Sequence, residues 1–339
     1  MERKSIYVTQ VGARIHRADG VIAISVDRAV AGRWPPEGIE HVLIFGNAQV
    51  TTQALALLFR HGVHVSFFTP GGRYRGQLVP PESGSVFVRL AQHARFADGA
   101  FRLAFARALI AAKLHAARLL VRRFGRNHPE SADAIQGAAT RLEDAERRLG
   151  EQEDLEALRG VEGSAAAEYF GAFDGMVRSP FRFERRSKHP AHNAVNALLN
   201  LGYTLLAGEI AGRLEAAGFD PRIGYFHGVR YGRSSLALDL IEAHRVDAID
   251  RLTLALLNRR VLAPEDFEDR GGTYGVRLLP PALRRYLAHY EAAMGETTTA
   301  GDTPRARVRA QVAELRRAVM GGPAPAPREP KAAEEEALG

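Results

Sequence analysis

Hydrophobic and polar positions keep two different rhythms along this chain, and the rhythm changes near residue 85. Before that point, "KSIYVT", "ARIHR", "VIAISVD" and "HVLIFG" are short β-branched or alternating runs, the pattern of strands with one face buried. Gly12, Gly20 and Gly46 punctuate them. One segment departs from the alternation. "TTQALALLFRHG", Thr51 to Gly62, spaces its apolar residues helically and closes on a glycine, which predicts a single helix ending just before Gly62. "VHVSFF" and "RYRGQLV" return to strand, split by a turn at Pro70–Arg73. "PPESGS", Pro80 to Ser85, reads as a boundary.

From about Val86 onward the apolar positions recur with helical spacing. "FRLAFARALIAAKLHAARLLVRRFGRN" predicts one long helix over Phe101–Asn127, with Arg118, Arg122 and Arg126 on one face at i+4 steps. That face is either solvated or a track for phosphates. "NAVNALLNLGYTLLAGEIAGRLEAAG", Asn193 to Gly218, is apolar over a broad face that includes Val195, Leu198, Leu199, Gly202, Leu205 and Leu206. This suits the centre of a helical core. "DTPRARVRAQVAELRRAVMGG" predicts a last helix with Thr303 as N-cap and Pro304 in its first turn. The pattern therefore predicts an α+β protein: a β-rich domain over 1–85, a larger all-α domain over 86–320, and a disordered Pro/Ala-rich, then acidic, tail over 321–339.

Charge narrows the partners. Lys and Arg number 46 against 39 Asp and Glu, a formal net charge of +7, and a basic balance favours a polyanion such as nucleic acid. The chain has no cysteine, which excludes disulfides, thiolate zinc sites and a cysteine nucleophile. Any metal must then be held by oxygen or imidazole donors, which points to Mg²⁺ or Mn²⁺. No uninterrupted apolar run reaches the ~18 residues of a membrane span, and "MERKSIYVTQ" lacks a signal-peptide core. The expectation is a cytoplasmic protein with no membrane partner.

Two stretches carry candidate chemistry. In "LEALRGVEGSAAAEYF", Glu162 shares a helix face with Leu158, Val161, Ala165 and Tyr169, so its carboxylate points toward the packed side, where an acid needs a cation, a hydrogen-bonding network or a metal. Glu168 reads as a surface acid. In "DPRIGYFHGVRYGRSSLALDLIE", His227 precedes a Gly/Arg loop, and Asp239 and Glu242 stand three apart on the next helix. If the loop folds back, one imidazole and two or three carboxylates meet as a hard-metal site, with Arg230 and Arg233 placed to contact phosphate. Read singly, these remain a core histidine, a helix-surface acid pair and a solvated loop.

The order of these segments resembles the CRISPR-associated integrase family called Cas-one. "YVTQVGARIHRADG" with "EHVLIFGNAQVTTQALALLFRHGVHVSFF" resembles its N-terminal β domain, "LRGVEGSAAAEYF" its glutamate-bearing helix and "NAVNALLNLGYTLL" its central helix. "DPRIGYFHGVRYGRSSLALDLIEAHR" resembles the stretch with its histidine and acidic ligands, and "IDRLTLALLNRR", "EDF" and "GGTYGVRLLPPALRRYLAHYE" resemble the family's next segment. The match runs in family order over roughly residues 5–290. One departure is Asn193, where an aspartate is expected before Val-Asn-Ala.

The resemblance implies a metal-dependent DNA integrase and endonuclease of CRISPR adaptation, in which a DNA 3′-hydroxyl attacks a phosphodiester of the array repeat. It implies Glu162, His227 and Glu242 as ligands for Mg²⁺ or Mn²⁺, with Asp239 as a fourth catalytic residue, either a ligand or an orienter of His227. Arg118, Arg122, Arg126, Arg230, Arg233, Arg245 and Arg251 are candidate contacts to double-stranded DNA, both spacer precursor and repeat. A homodimer through the β domain, and a small adaptation partner, Cas-two, bridging two dimers, are implied too. Two rivals stay open: a metal-dependent nuclease acting on branched or single-stranded DNA in repair, and a non-catalytic DNA-binding subunit.

Overall fold

The computed structural model describes residues 3–80, 86–129, 132–298 and 301–324. The expected boundary segment beyond Pro80, and the expected tail from residue 325, lie outside the described residues. The fold is α+β, strand-rich first and helical after. The chain divides into two compact units, Met1–Gly84 with Leu278–Glu291, and Ser85–Arg277 with Ala292–Gly339. The expected division at 85 differs from this in one respect: residues 278–291, far along the helical part, group with the strands. Tyr7 shows one such link, donating its hydroxyl to Glu291 Oε2 at 2.9 Å.

In the first unit, β1 (Lys4–Val8), β2 (Arg14–Ala18), β3 (Val21–Val26), β4 (Ala29–Trp34), β5 (Ile39–Phe45) and β6 (Gln49–Val50) precede α1 (Thr52–Arg60), β7 (His64–Phe68) and β8 (Tyr74–Leu78). They form two four-stranded sheets, ordered β1-β5-β7-β8 and β4-β3-β2-β6. β1 and β7 run parallel to β5, and β8 runs antiparallel to β7. Ile6, Val8, Ile15, Ile22, Val42 and Val65 are buried in one core with Leu57 and Leu58 of α1. The predicted end of α1 is the observed one. Gly62 takes φ +70°, its N–H donates to Phe59 O, and the Val63 N–H donates to Leu58 O, each at 3.0 Å. This paired closure requires the left-handed residue that glycine supplies without strain.

The second unit holds α2 (Val86–Ala97), α3 (Gly99–Asn127), α4 (Ala132–Arg148), α5 (Leu155–Met176), α6 (Ala194–Ala216), α7 (Ser235–Ile241) and α8 (Arg251–Asn258). After the hairpin strands β9 (Phe267–Asp269) and β10 (Val276–Leu278) come α9 (Pro280–Gly295), most of which groups with the first unit, and α10 (Pro304–Val319). Side chains set the helix starts. Asp98 accepts from the Phe101 N–H, Asp154 from the Glu156 and Ala157 N–H groups, and Thr303 from the Ala306 N–H, each satisfying a donor with no intrahelical partner.

α6 is apolar nearly all round and buried along most of its length. By length and composition it could cross a membrane, with a mean hydropathy of 1.2, although polar residues interrupt its apolar positions. Of its most apolar window 67% is buried inside the protein, the signature of a core helix. Arg305 of α10 docks on it through Glu209, a buried ion pair with both oxygens at 3.3 Å.

Candidate active site

The site sits where α3, α5 and α7 meet the loop before α7, and local chemistry fixes that loop. The Gln92 amide of α2 donates to the Asp220 and Ile223 carbonyls at 2.9 and 3.2 Å and accepts the Asp220 N–H at 2.9 Å. Arg102 of α3 donates to Tyr225 O at 3.0 Å, and Arg159 of α5 to Phe226 O at 2.5 Å. Asp239, fully buried on α7, accepts the Phe226 and His227 N–H groups at 3.0 and 2.8 Å. The loop thus folds back on α7, the condition on which a site at His227 depends. Gly224 allows the approach: a Cβ there would lie 2.7 Å from Ser235 Cβ and 2.9 Å from Asp239 Oδ2.

His227 Nδ1 lies 2.7 Å from Asp239 Oδ1, and its Nε2 lies 3.9 Å from Glu242 Oε1. Glu242, just past the end of α7, is buried. Glu162, on α5, is half-buried on the side lined by Leu158, Val161, Ala165 and Tyr169. Between the two glutamates stands Lys113 of α3. Its Nζ hydrogen-bonds Glu162 Oε1 and lies 2.8 Å from Glu242 Oε2. Arg245, in the π-helical turn Arg245–Asp250, reaches Glu242 Oε1 at 2.9 Å and stacks over the Tyr203 ring at 4.9 Å. The predicted residues Glu162, His227, Asp239 and Glu242 therefore come together, from segments 80 residues apart in the chain.

Electrostatics follow from this packing. Burial opposes ionisation of Glu242, but Arg245, then Lys113 and His227, outweigh it and hold the carboxyl at about 2. Burial likewise opposes the Lys113 ammonium, yet Glu242 and Glu162 raise its pKa above the ordinary lysine value. Lys188 is pushed down, by burial first and then by Arg245 and Arg186. Beneath Arg245, the Tyr203 and Tyr169 hydroxyls donate to Asp250 at 2.5 and 2.8 Å, and burial drives that carboxyl up to about 6.

Two carboxylates facing one another require a cation between them, and here the Lys113 ammonium provides it. As the side chains stand, no three His, Asp or Glu groups among the described residues converge as metal ligands. The donor set nevertheless fits a hard divalent ion: carboxylate oxygens from Glu162 and Glu242 plus one imidazole. Glu242 Oε2 supplies a further sign. It is buried and faces Lys113 Nζ at 2.8 Å, so a cation already stands against it.

The candidate DNA contacts divide. Arg118 pairs with Glu146 at 3.0 Å and Arg122 with Glu143 at 2.6 Å, both on α4. Arg126, Arg230 and Arg251 are exposed. Arg233 turns inward, donating to His227 O at 2.8 Å and Ser235 Oγ at 3.1 Å. Glu168 is the surface acid expected, paired with Arg141. Sequence reasoning missed Lys113, Asp250, Tyr169 and Tyr203 as parts of the site. Lys113 carried one signal: it is the single lysine of α3, set among alanines and leucines. Asn193 caps α6, accepting the Asn196 N–H at 2.9 Å.

Comparison with known proteins identifies the family. Residues 6–292 match the family CRISPR associated protein Cas1, the Cas-one family that the sequence resembles. The CRISPR-associated endonuclease Cas1 1 of Chlorobaculum tepidum is 36% identical over 293 residues, 85% of either chain. Two solved structures share the fold. A CAS1 protein from Thermotoga maritima superposes with TM-score 0.80 at 24% identity, over 96% of this chain and 100% of that one. A casposase bound to integration product superposes with TM-score 0.79 at 22% identity, over 99% and 98%. On a family match spanning nearly the whole chain and an identity of this size, the protein belongs to the Cas1 family.

Proposed function

We propose that the protein is a metal-dependent DNA integrase of CRISPR adaptation, working in the cytoplasm on the array repeat. The observation that carries this is the convergence of Glu162 and Glu242 on one cation position, held by Lys113 Nζ, with His227 Nε2 3.9 Å from the other Glu242 oxygen. Membership of a family whose curated relative is called an endonuclease supports phosphodiester chemistry. The likeness to a casposase with its integration product agrees in fold.

Glu162, Glu242 and His227 would hold Mg²⁺ or Mn²⁺. Bound there, the ion would polarise the phosphoryl oxygen and offset charge in the transition state. The protein's own part is positional. Asp239 fixes the His227 ring and the backbone carrying it. Arg245, anchored on Tyr203, and Lys188 make this mouth electropositive, which holds phosphates and stabilises developing negative charge. The spacer 3′-hydroxyl oxygen forms a new bond to phosphorus as the repeat's 3′-oxygen leaves, and the proton lost by the one is gained by the other. The number of phosphodiester bonds is conserved, so no external energy source is needed. Exposed Arg126, Arg230 and Arg251 extend the contact to duplex DNA. The family further suggests a homodimer and a bridging Cas2 partner.

The test mixes the protein with Cas2, a labelled duplex with free 3′-hydroxyl ends and a supercoiled plasmid bearing a repeat. Strand joining that needs Mn²⁺ or Mg²⁺ and disappears in Glu162→Ala is the expected result. Cutting without joining moves the assignment to a nuclease. Joining by Glu162→Ala at the parent's rate removes Glu162 from the site.

A further inference from the structure

We propose that Lys113 is a resident counter-cation that a divalent ion must displace, so that its ammonium sets the threshold of metal affinity. The inference rests on the metal-dependent function proposed for the same site. Lys113 Nζ occupies the point on which Glu162 and Glu242 converge, and an ammonium and a divalent ion cannot share it. Without a cation the two carboxylates would face each other nearly dry, so the lysine keeps the metal-free site closed.

A place for the displaced ammonium adjoins it. A cavity of about 20 Å³, room for roughly one water, is lined by Lys113, Tyr169, Tyr203, Arg245 and Asp250. Its polar groups are the Asp250 carboxyl, two phenolic oxygens and the Arg245 guanidinium, and the rest of its wall is apolar, with Leu114, Ala117, Ala165 and Phe170. The flexible four-carbon stem of lysine allows such a move, whereas the rigid guanidinium fork of an arginine would not pivot as freely. Apparent metal affinity is then the intrinsic affinity reduced by the fraction of molecules in which the ammonium has moved aside.

Calorimetric titration of Mn²⁺ into the DNA-free protein tests this, with thermal melts in chelator and in Mn²⁺ as a second readout. The proteins are the parent, Lys113→Met, Lys113→Arg and Glu162→Ala. Lys113→Met, which keeps the stem and loses the charge, is expected to bind Mn²⁺ at least about tenfold tighter than the parent. It should melt lower in chelator and gain more from Mn²⁺. Lys113→Arg is expected to bind more weakly than the parent and keeps the test decisive if the methionine variant does not fold. Structural damage alone would not tighten binding. Equal or weaker binding by Lys113→Met, or unchanged binding by Lys113→Arg, overturns the proposal while leaving the metal site in place. If neither parent nor Lys113→Met binds Mn²⁺, or if Glu162→Ala binds like the parent, the metal-site reading fails and the proposal with it.

Discussion

His227 Nδ1 and Asp239 Oδ1 stand 2.7 Å apart, and the same carboxylate accepts the backbone N–H groups of His227 and Phe226. A carboxylate only accepts, so Nδ1 carries a proton toward Asp239, and Nε2 is turned to the side of Glu242. Asp239 thereby sets both the direction and the tautomer of the imidazole. With both of its oxygens engaged in this way, Asp239 is placed to position His227, which supports the orienting alternative of the two that residue type and spacing leave open. Asp239→Asn keeps one of the two acceptors and sets an NH2 against the donors on the other side, which weakens the hold on the ring and on the backbone that carries it. Mn²⁺ affinity is expected to fall by about 10–100-fold, the usual effect of removing such a support, with the far-ultraviolet circular dichroism unchanged. Undiminished affinity in a calorimetric titration would show that His227 needs no orienter.

Period and capping made most of the helical unit legible in the sequence. α3, α6 and α10 fall where apolar spacing put them, and Thr303 is the cap its position suggested. Glu162, His227, Asp239 and Glu242 stood out by residue type and spacing, but it was the family resemblance, not that pattern alone, that joined them into one site. Lys113 was not legible, since what makes it part of the site is a contact with a residue 49 positions away, and its setting among alanines and leucines was the one local sign. β4 escaped for a different reason. It is an exposed strand at the end of its sheet, where neither face is buried enough to impose an alternation, and its Gly32 lies directly beneath the Trp34 ring. Arg118 and Arg122 show the limit of charge patterns, because Glu146 and Glu143 on another helix engage them.

Asn193 is more than a neutral stand-in for the aspartate the family resemblance leads one to expect. Its Oδ1 caps α6, while its Nδ2 donates to Phe183 O at 2.9 Å. Aspartate would keep the cap and gain from the helix dipole, but would set an oxygen against that carbonyl. Asn193→Asp is expected to lower stability by about 1 kcal/mol, read as a shift in the urea midpoint at constant slope. A variant more stable than the parent would mean that the Phe183 contact contributes nothing.

Asp250 gives the protein a pH dependence of unusual sign for an acid. Burial raises its carboxyl to about 6 from 3.8, despite the Tyr203 and Tyr169 hydroxyls and the Arg245 and Arg186 charges near it. The folded state therefore holds this proton more tightly than the unfolded chain. The stability it contributes is fully present below about pH 4 and is lost as pH rises through about 6. At 1.36 kcal/mol per unit, the swing is about 3 kcal/mol. Glu242, held near 2, acts in the opposite sense and only below its ordinary value of 4.5, so the two windows barely overlap. Asp250→Asn cannot ionise. Its hydrogen-bonding penalty, from one tyrosine losing an acceptor, stays constant with pH, so stability relative to the parent should improve by about 3 kcal/mol between pH 4 and 7. Urea unfolding of both proteins at four pH values checks this. A difference that does not change with pH would show that the Asp250 carboxylate ionises in place without penalty, and that Arg245 and Arg186 neutralise it across the Tyr203 ring.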